Sequence, residues 1–329
     1  MRKWLLAACL VFALALPAQA AQTVVGFITG ASGLGDLSFN DMAYGGVRRA
    51  QQEYNFKLVI LEPDESGVTT PEGILGVVEQ ADIIVLLGAQ HEPQTRQAAR
   101  ANPDKKFIYI ELPVQGMANI SSVMFNQNEG SFLAGALAAM VSKTGKIGFV
   151  GGTVEPPVMA FEQGYREGAA FAAPDVEVLA EYISPAGDFS GFGNPEKGYD
   201  ITMKQYGQGA DIVFAVAGLS GNGVIEAARR SGKLAIGVDS DQDSLAKGSV
   251  LTSMMKRLDV AAYAELKATL ENRFTAGVTR YGLANDGVGL TEMKYTRHLI
   301  PAGVLDRIKD IKQQIVSGKL KVTNLLPDK

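Results

Sequence analysis

Short, unbroken apolar runs recur along the chain, and each is followed by a stretch of helical character. Residues 23–29, 57–61, 82–87 and 106–110 are such runs, and they alternate with helical stretches near 38–54, 71–80 and 93–101. A strand that is apolar at every position must be covered on both faces, and strand–helix alternation supplies that cover in a parallel sheet. A second series repeats the pattern, with strands at 122–125, 146–150, 176–182, 211–218 and 234–239 and helices at 128–143, 158–172, 195–206 and 222–231. Two successive series of about 100 residues predict an α/β protein of two similar Rossmann-like lobes. The tail holds a strand at 251–255, a helix at 257–274, an extended piece at 287–290 and a helix over 301–316 opened by Pro301. It is too short for a third lobe and is expected to add to both, so that the chain crosses between them three times. The expected division is 21–124 plus about 243–285 for lobe 1, and 125–242 plus about 286–329 for lobe 2. No Ser/Gly-rich linker separates them, which predicts a tight hinge.

The first twenty residues say where the protein works. Arg2 and Lys3 precede an apolar run over 4–16, Pro17 breaks it, and Ala18-Gln19-Ala20 ends it in the small-x-small pattern of a secretory cleavage site. The run is too short for a comfortable membrane span, so a cleaved export signal is expected, with the mature chain starting at Ala21. Leu6-Ala7-Ala8-Cys9 resembles a lipoprotein box, but it leaves too little apolar sequence ahead of the cut for lipidation at Cys9 to be expected.

Cleavage removes the only Cys, Cys9, and the only Trp, Trp4. A mature chain without Cys has no disulfide, thiolate nucleophile or zinc–cysteine site. Loss of Arg2 and Lys3 takes the net charge from −4 to −6, which gives no general attraction to nucleic acid or anionic lipid. Only two histidines exist, His91 and His298, without metal-ligand spacing, and both read as solvated loop residues. Gly30-Ala31-Ser32-Gly33-Leu34 and Gly218-Leu219-Ser220-Gly221-Asn222 miss the G-x-S-x-G nucleophile elbow at the fifth position. The glycine-rich turn at 30–35 is neither G-x-G-x-x-G nor a phosphate loop. No catalytic residue, metal or cofactor is therefore expected.

What remains lies at the C-terminal ends of the strands, where open parallel sheets bind ligands. After the first strand, Ser38 is a candidate helix N-cap, which puts Phe39 and Asn40 in the first turn. An apolar ring beside a polar amide suits stacking on a flat molecule while hydrogen-bonding its edge, although Phe39 could equally tuck under the helix as core. Glu111 is an acid at the fourth strand end. In the second series Phe192 stands just before Pro195 in a glycine-rich turn, Gly218 offers bare backbone at a strand end, and Asp239 ends another strand. A carboxylate such as Asp239 can accept two bonds from adjacent sugar hydroxyls. Lys256 places a cation nearby, and Asp239 and Lys256 could instead form a structural ion pair at the hinge. The set describes a clamshell that closes two phenylalanine rings on a planar ligand.

The motifs that carry these residues resemble the basic-membrane-protein family of bacterial solute-binding proteins, which includes the purine nucleoside receptors of nucleoside ABC importers. The matching pieces are Asp36-Leu37-Ser38-Phe39-Asn40, Phe125-Asn126 leading into Ser131-Phe132-Leu133-Ala134-Gly135, Phe161-Glu162-Gln163-Gly164-Tyr165, Phe192-Gly193-Asn194-Pro195-Glu196-Lys197-Gly198 and Gly237-Val238-Asp239-Ser240-Asp241-Gln242. The resemblance implies a type I periplasmic binding protein fold and a monomer that serves an inner-membrane permease and ATPase. It implies that Phe39 and Phe192 stack on a purine, that Asn40 contacts the ligand, and that Gly218, Asp239 and Lys256 complete the site, the last two on ribose hydroxyls. The chain departs from the family in having Gly30 where an acid is usual, Glu111 where Asp is common, and no lipid-bearing Cys just after the signal. The last departure implies a freely soluble periplasmic form. A free purine base, a flavin or another flat heterocycle is the alternative ligand, and presentation of ligand to a membrane receptor is the alternative role.

Overall fold

The central apolar runs are strands whose odd and even residues are buried on opposite faces against different helices, while the edge strands Lys57–Leu61 and Glu177–Ser184 are only partly covered. The computed structural model of the protein describes residues 22–64 and 67–326. The expected leader, with Cys9 and Trp4, lies outside the described residues. The chain begins with β1 (Val24–Ile28), α1 (Phe39–Tyr54), β2 (Lys57–Leu61), α2 (Pro71–Gln80), β3 (Ile83–Leu87), α3 (Glu92–Ala101), β4 (Lys106–Ile110) and β5 (Ile120–Phe125). It continues with α4 (Gln127–Val141), β6 (Lys146–Thr153), α5 (Pro156–Ala172), β7 (Glu177–Ser184), α6 (Pro195–Gly207), β8 (Ile212–Val216), α7 (Gly221–Ser231) and β9 (Leu234–Asp239). Last come β10 (Val250–Lys256), α8 (Leu258–Leu270), β11 (Gly277–Tyr281), β12 (Val288–Leu290) and α9 (Val304–Val316).

Two six-stranded sheets result, in the orders β11-β5-β4-β3-β1-β2 and β12-β10-β9-β8-β6-β7. Read strand by strand, the second order repeats the first, so β4 and β9 hold equivalent places, as do β1 and β6. All the pairings are parallel except β10 with β12. In the first sheet Val85, Leu87, Ile108 and Ile110 join the core that includes Ala43 and Val47 of α1 and Leu266 of α8. Their neighbours Ile84, Leu86, Phe107 and Tyr109 join a second core with α2 and α3. The period of two along each strand thus feeds two layers of helix.

The chain passes between the sheets after β5, after β10 and after β11. Strand β10 pairs with β9 in the second sheet, so 250–256 belong with lobe 2 and not with lobe 1, where the boundary near 243 put them. Strand β11 was not expected at all: its Gly-Val-Thr-Arg-Tyr sequence is half exposed at a sheet edge and has no apolar run to announce it. Helix α9 begins at Val304 and not Pro301, because Gly303 takes a left-handed φ of +82° just before it. The crossings are tied together by Asn126, whose N–H donates to Tyr281 O at 2.8 Å, and by Glu129, whose carboxylate accepts from Asn126 Nδ2 and from Leu283 N.

Helices α4 and α5 pack backbone to backbone through glycines. A Cβ on Gly135 would overlap Tyr165 O, and one on Gly168 would overlap Phe132 O. Gly168→Ala should therefore cost about 1–3 kcal/mol, since neither helix can yield without the other. Gly45→Ala in α1, where a Cβ meets nothing within 4 Å, should instead gain about 0.5–1 kcal/mol. Urea unfolding of the two variants measures the contrast.

Candidate functional site

The strand ends of both sheets converge on one cleft with about 580 Å³ of free space, counting the solvent at its mouth. Phe39, Asn40, Glu111, Phe192, Gly218, Asp239 and Lys256 all line it. So do Gln90, Glu155, Val158 and Phe161, which the sequence reading passed over. The strand-end rule applied to β3 and β6 as well would have pointed to Gln90 and Glu155.

Helix α1 is placed by Asp36, not by Ser38. The Asp36 carboxylate accepts from the N–H groups of Ser38 (2.9 Å), Asn40 (3.0 Å) and Asp41 (3.2 Å), filling the helix N-terminus with negative charge. Ser38 occupies the N-cap position but makes no capping bond. Its hydroxyl crosses to lobe 2 and donates to Asp239 Oδ2 at 2.7 Å. Asn40 is committed at both ends: Oδ1 accepts from Gly30 N at 2.7 Å, and Nδ2 donates to Ser32 Oγ and Asp36 Oδ2, each at 3.0 Å.

Each of the two candidate stacking rings rests on a glycine at the end of the first strand of its lobe. A Cβ on Gly30 would sit 3.5 Å from Phe39 Cε1, and one on Gly152 would collide with the Phe192 ring. Gly30 thus leaves out the expected acid and serves as a seat for Phe39. Gly218, at φ +53°, brings its backbone close to Phe192 and Ser32. Phe39 is half-buried, lining the cleft and at the same time packing against the core.

Charge is concentrated at the cleft base. Lys256 Nζ donates to both carboxylate oxygens of Glu111 at 2.9 Å, with side chains 2% and 7% exposed. The ammonium also lies 4.9 Å from the Phe39 ring centre, 5.2 Å from that of Phe125 and 5.8 Å from that of Phe161. The expected alternative, an ion pair of Lys256 with Asp239, is replaced by this one. Glu111 and Asp239, which occupy equivalent ends of β4 and β9, both have positive φ, +147° and +65°. Backbone held this way costs of order 1–3 kcal/mol per residue and aims both carboxyls inward. Burial pushes Asp239 up to about 7, against the pull of Lys256 and the Ser38 hydroxyl. Burial pushes Glu155 up to about 8, reinforced by Glu111 and opposed by Lys256.

His91 is not the solvated residue expected. It is 1% exposed at the start of α3, with Nδ1 2.7 Å from Leu87 O, and burial lowers its pKa, so the ring is neutral. His298 is exposed. Among the described residues no group of three or more His, Cys, Asp or Glu could hold a metal ion, and no helix is long and apolar enough to cross a membrane.

The lobes meet at the cleft lip through one stretch of main chain. Asp36 O accepts from Asn222 Nδ2 at 3.3 Å, and Leu37 O accepts from Ser240 Oγ and from Gln242 Nε2.

Residues 22–324 match the family model described as ABC transporter substrate-binding protein, PnrA-like. Basic membrane protein A of Borreliella afzelii is 34% identical over 299 residues, 87% of either chain. The ABC transporter nucleoside-binding protein BmpA of Lactococcus lactis subsp. cremoris is 30% identical over 317 residues, 90% of this chain and 87% of that one. Among solved structures, an ABC transporter system solute-binding protein from Aeropyrum pernix K1 is similar with a TM-score of 0.82 at 27% identity, covering 93% of this chain and 94% of that one.

The raised acids have a consequence for stability. The folded protein keeps protons on Asp239 and Glu155 that the unfolded chain, with ordinary values of 3.8 and 4.5, has already released. Their contribution therefore favours folding less and less as pH rises from about 4 to about 8, and levels off above that. The ligand-free protein should melt higher at pH 5 than at pH 8, and combining Asp239→Asn with Glu155→Gln should flatten the difference. Calorimetric melts of both proteins at the two pH values test this; an unchanged slope in the variant would assign the effect to other groups.

Proposed function

The chain belongs to the PnrA-like family of ABC transporter substrate-binding proteins, and on that premise we propose that it captures a purine nucleoside in the periplasm for import. Members of this family are solute-binding components and not enzymes, and such components work outside the cytoplasm. The signal at 1–20 would deliver the chain to the periplasm as a free protein, and the nucleoside would pass to a membrane permease powered by an ATPase. The protein would act as a monomer and need no cofactor.

One observation carries this reading: two phenylalanine rings, one from each lobe, line the same cleft as a carboxyl and an ammonium that still have bonding capacity. Of the three protons on Lys256 Nζ, two serve Glu111 and one is left for a ribose hydroxyl. Asp239 uses Oδ2 for Ser38, which leaves Oδ1 to accept from a second hydroxyl. The ring would lie between Phe39 and Phe192, with Gly218 admitting it close to the main chain. Lobe closure then excludes water from the stack, and no covalent step is required. The name of the Lactococcus relative, a nucleoside-binding protein, agrees with this ligand class.

Stacking on an aromatic ring contributes ~1–3 kcal/mol per base. Phe192→Ala should thus weaken nucleoside binding about tenfold or more in titration calorimetry, and unchanged affinity would show that the ring lies elsewhere. Asp239→Ala should reduce the affinity for ribosides much more than that for free bases. Equal losses for inosine and hypoxanthine would make Asp239 a structural residue only.

A further inference from the structure

Hydrogen-bonding capacity sorts the polar groups of the cleft into those already spent and those still free. Asn40 has no donor to offer a ligand, since both its amide protons go to Ser32 and Asp36, while its carbonyl already holds Gly30 N. Both oxygens of Glu111 are taken by Lys256. Two buried polar atoms on the cleft wall have no partner: Glu155 Oε2 from lobe 2 and Gln90 Nε2 from lobe 1. Leaving a buried polar group unpaired costs about 1–3 kcal/mol, so each is a place where a ligand atom belongs.

The sequence explains why Glu155 stays free. It is the N-cap residue of α5, where a carboxylate normally gathers backbone N–H groups, but Pro156 and Pro157 follow and carry none, which leaves Val158 N as the single donor a cap could take. No side-chain capping bond forms, and the carboxyl turns into the cleft beside Pro157, Val158 and Phe161. Gln90 sits in the short turn after β3, its amide folded over Gly88.

We propose that the Glu155 carboxyl and the Gln90 amide, one from each lobe, hydrogen-bond the edge of the bound heterocycle, while Asn40 only fastens the Gly30 turn to α1. This rests on reading the cleft as a nucleoside site. The charged groups acting on Glu155 are Glu111 and Lys256, which neutralise each other as a pair, so burial dominates and keeps the carboxyl protonated at pH 7. Nearby Tyr109 adds no charge, its hydroxyl being donated to Gly88 O. A protonated carboxyl and a primary amide each set a donor beside an acceptor. The complementary ligand edge also has a donor next to an acceptor, as in a 6-oxopurine or a 6-aminopurine. A purine riboside without the 6-substituent lacks that pair.

Titration calorimetry with inosine, adenosine and unsubstituted purine riboside, on wild type, Glu155→Gln and Glu155→Leu, tests the assignment, with thermal melts to check that each variant folds. Glu155→Leu should bind inosine about tenfold or more weakly, and Glu155→Gln, which keeps a donor beside an acceptor, should stay within about threefold of wild type. Wild-type affinity for adenosine should fall more steeply than that of Glu155→Gln as pH rises from 7 to 9, the contribution of Asp239 being common to both. Wild type should prefer inosine to the unsubstituted riboside, and Glu155→Leu should lose that preference. The assignment is overturned if Glu155→Leu binds inosine as wild type does, or if Glu155→Gln is as weak as Glu155→Leu while wild type falls with pH no more steeply than Glu155→Gln. Should wild type bind none of the three, the nucleoside reading itself fails and takes this assignment with it.

Discussion

The buried pair of Lys256 and Glu111 sets the electrostatics of everything around it. One partner ends a strand of the second sheet and the other follows a strand of the first, so the pair joins the lobes at the base of the cleft. Taking both charges out of water is costly, and the cost is offset only because each is met by the other and the ammonium is enclosed by three aromatic rings. With Lys256 so engaged, no full positive charge is left to hold Asp239 and Glu155 ionised. Both rise toward neutrality chiefly because they are buried, with Lys256 opposing the rise, and the cleft carries three carboxyls against one cation without strong mutual repulsion.

The duplicated sheet order gives this arrangement its logic. Equivalent strand ends carry equivalent tasks in the two lobes: Gly30 and Gly152 seat an aromatic ring, and Glu111 and Asp239 turn a carboxyl inward on a backbone of positive φ. A ligand between the lobes therefore meets similar surfaces on two sides.

Much of this was legible in the sequence for a physical reason. Central strands of a parallel sheet are apolar throughout, so β4 and β9 could be delimited to the residue, as could the edge strand β2 from its own apolar run and α2 with its Pro71 start. Ligand-facing positions follow from strand ends, which is why seven chosen residues surround a single cleft. Pattern reading fails where burial is partial: β11 alternates at an edge, and nothing in the composition of β10 tells which sheet it will join. It also fails for bonding capacity. That the amide protons of Asn40 are spent and Glu155 is free depends on contacts with Gly30, Ser32 and Asp36 and on the missing N–H groups of two prolines, none of which a strand-end rule weighs.

The lip contact between the lobes is lopsided. Lobe 2 contributes the side chains of Asn222, Ser240 and Gln242, which lobe 1 answers with the carbonyls of Asp36 and Leu37, and the one lobe 1 side chain beside them that crosses is Ser38, to Asp239 and Val238 O. Parting the lobes lets water solvate those carbonyls at once, but it also separates Lys256 from Glu111 and Ser38 from Asp239, so the bias toward closure sits at the cleft base and not at the lip. At Leu37 the side chain can drift without touching the fastening, whereas Asp36, which also holds the start of α1, and the three polar residues facing this stretch have no such liberty.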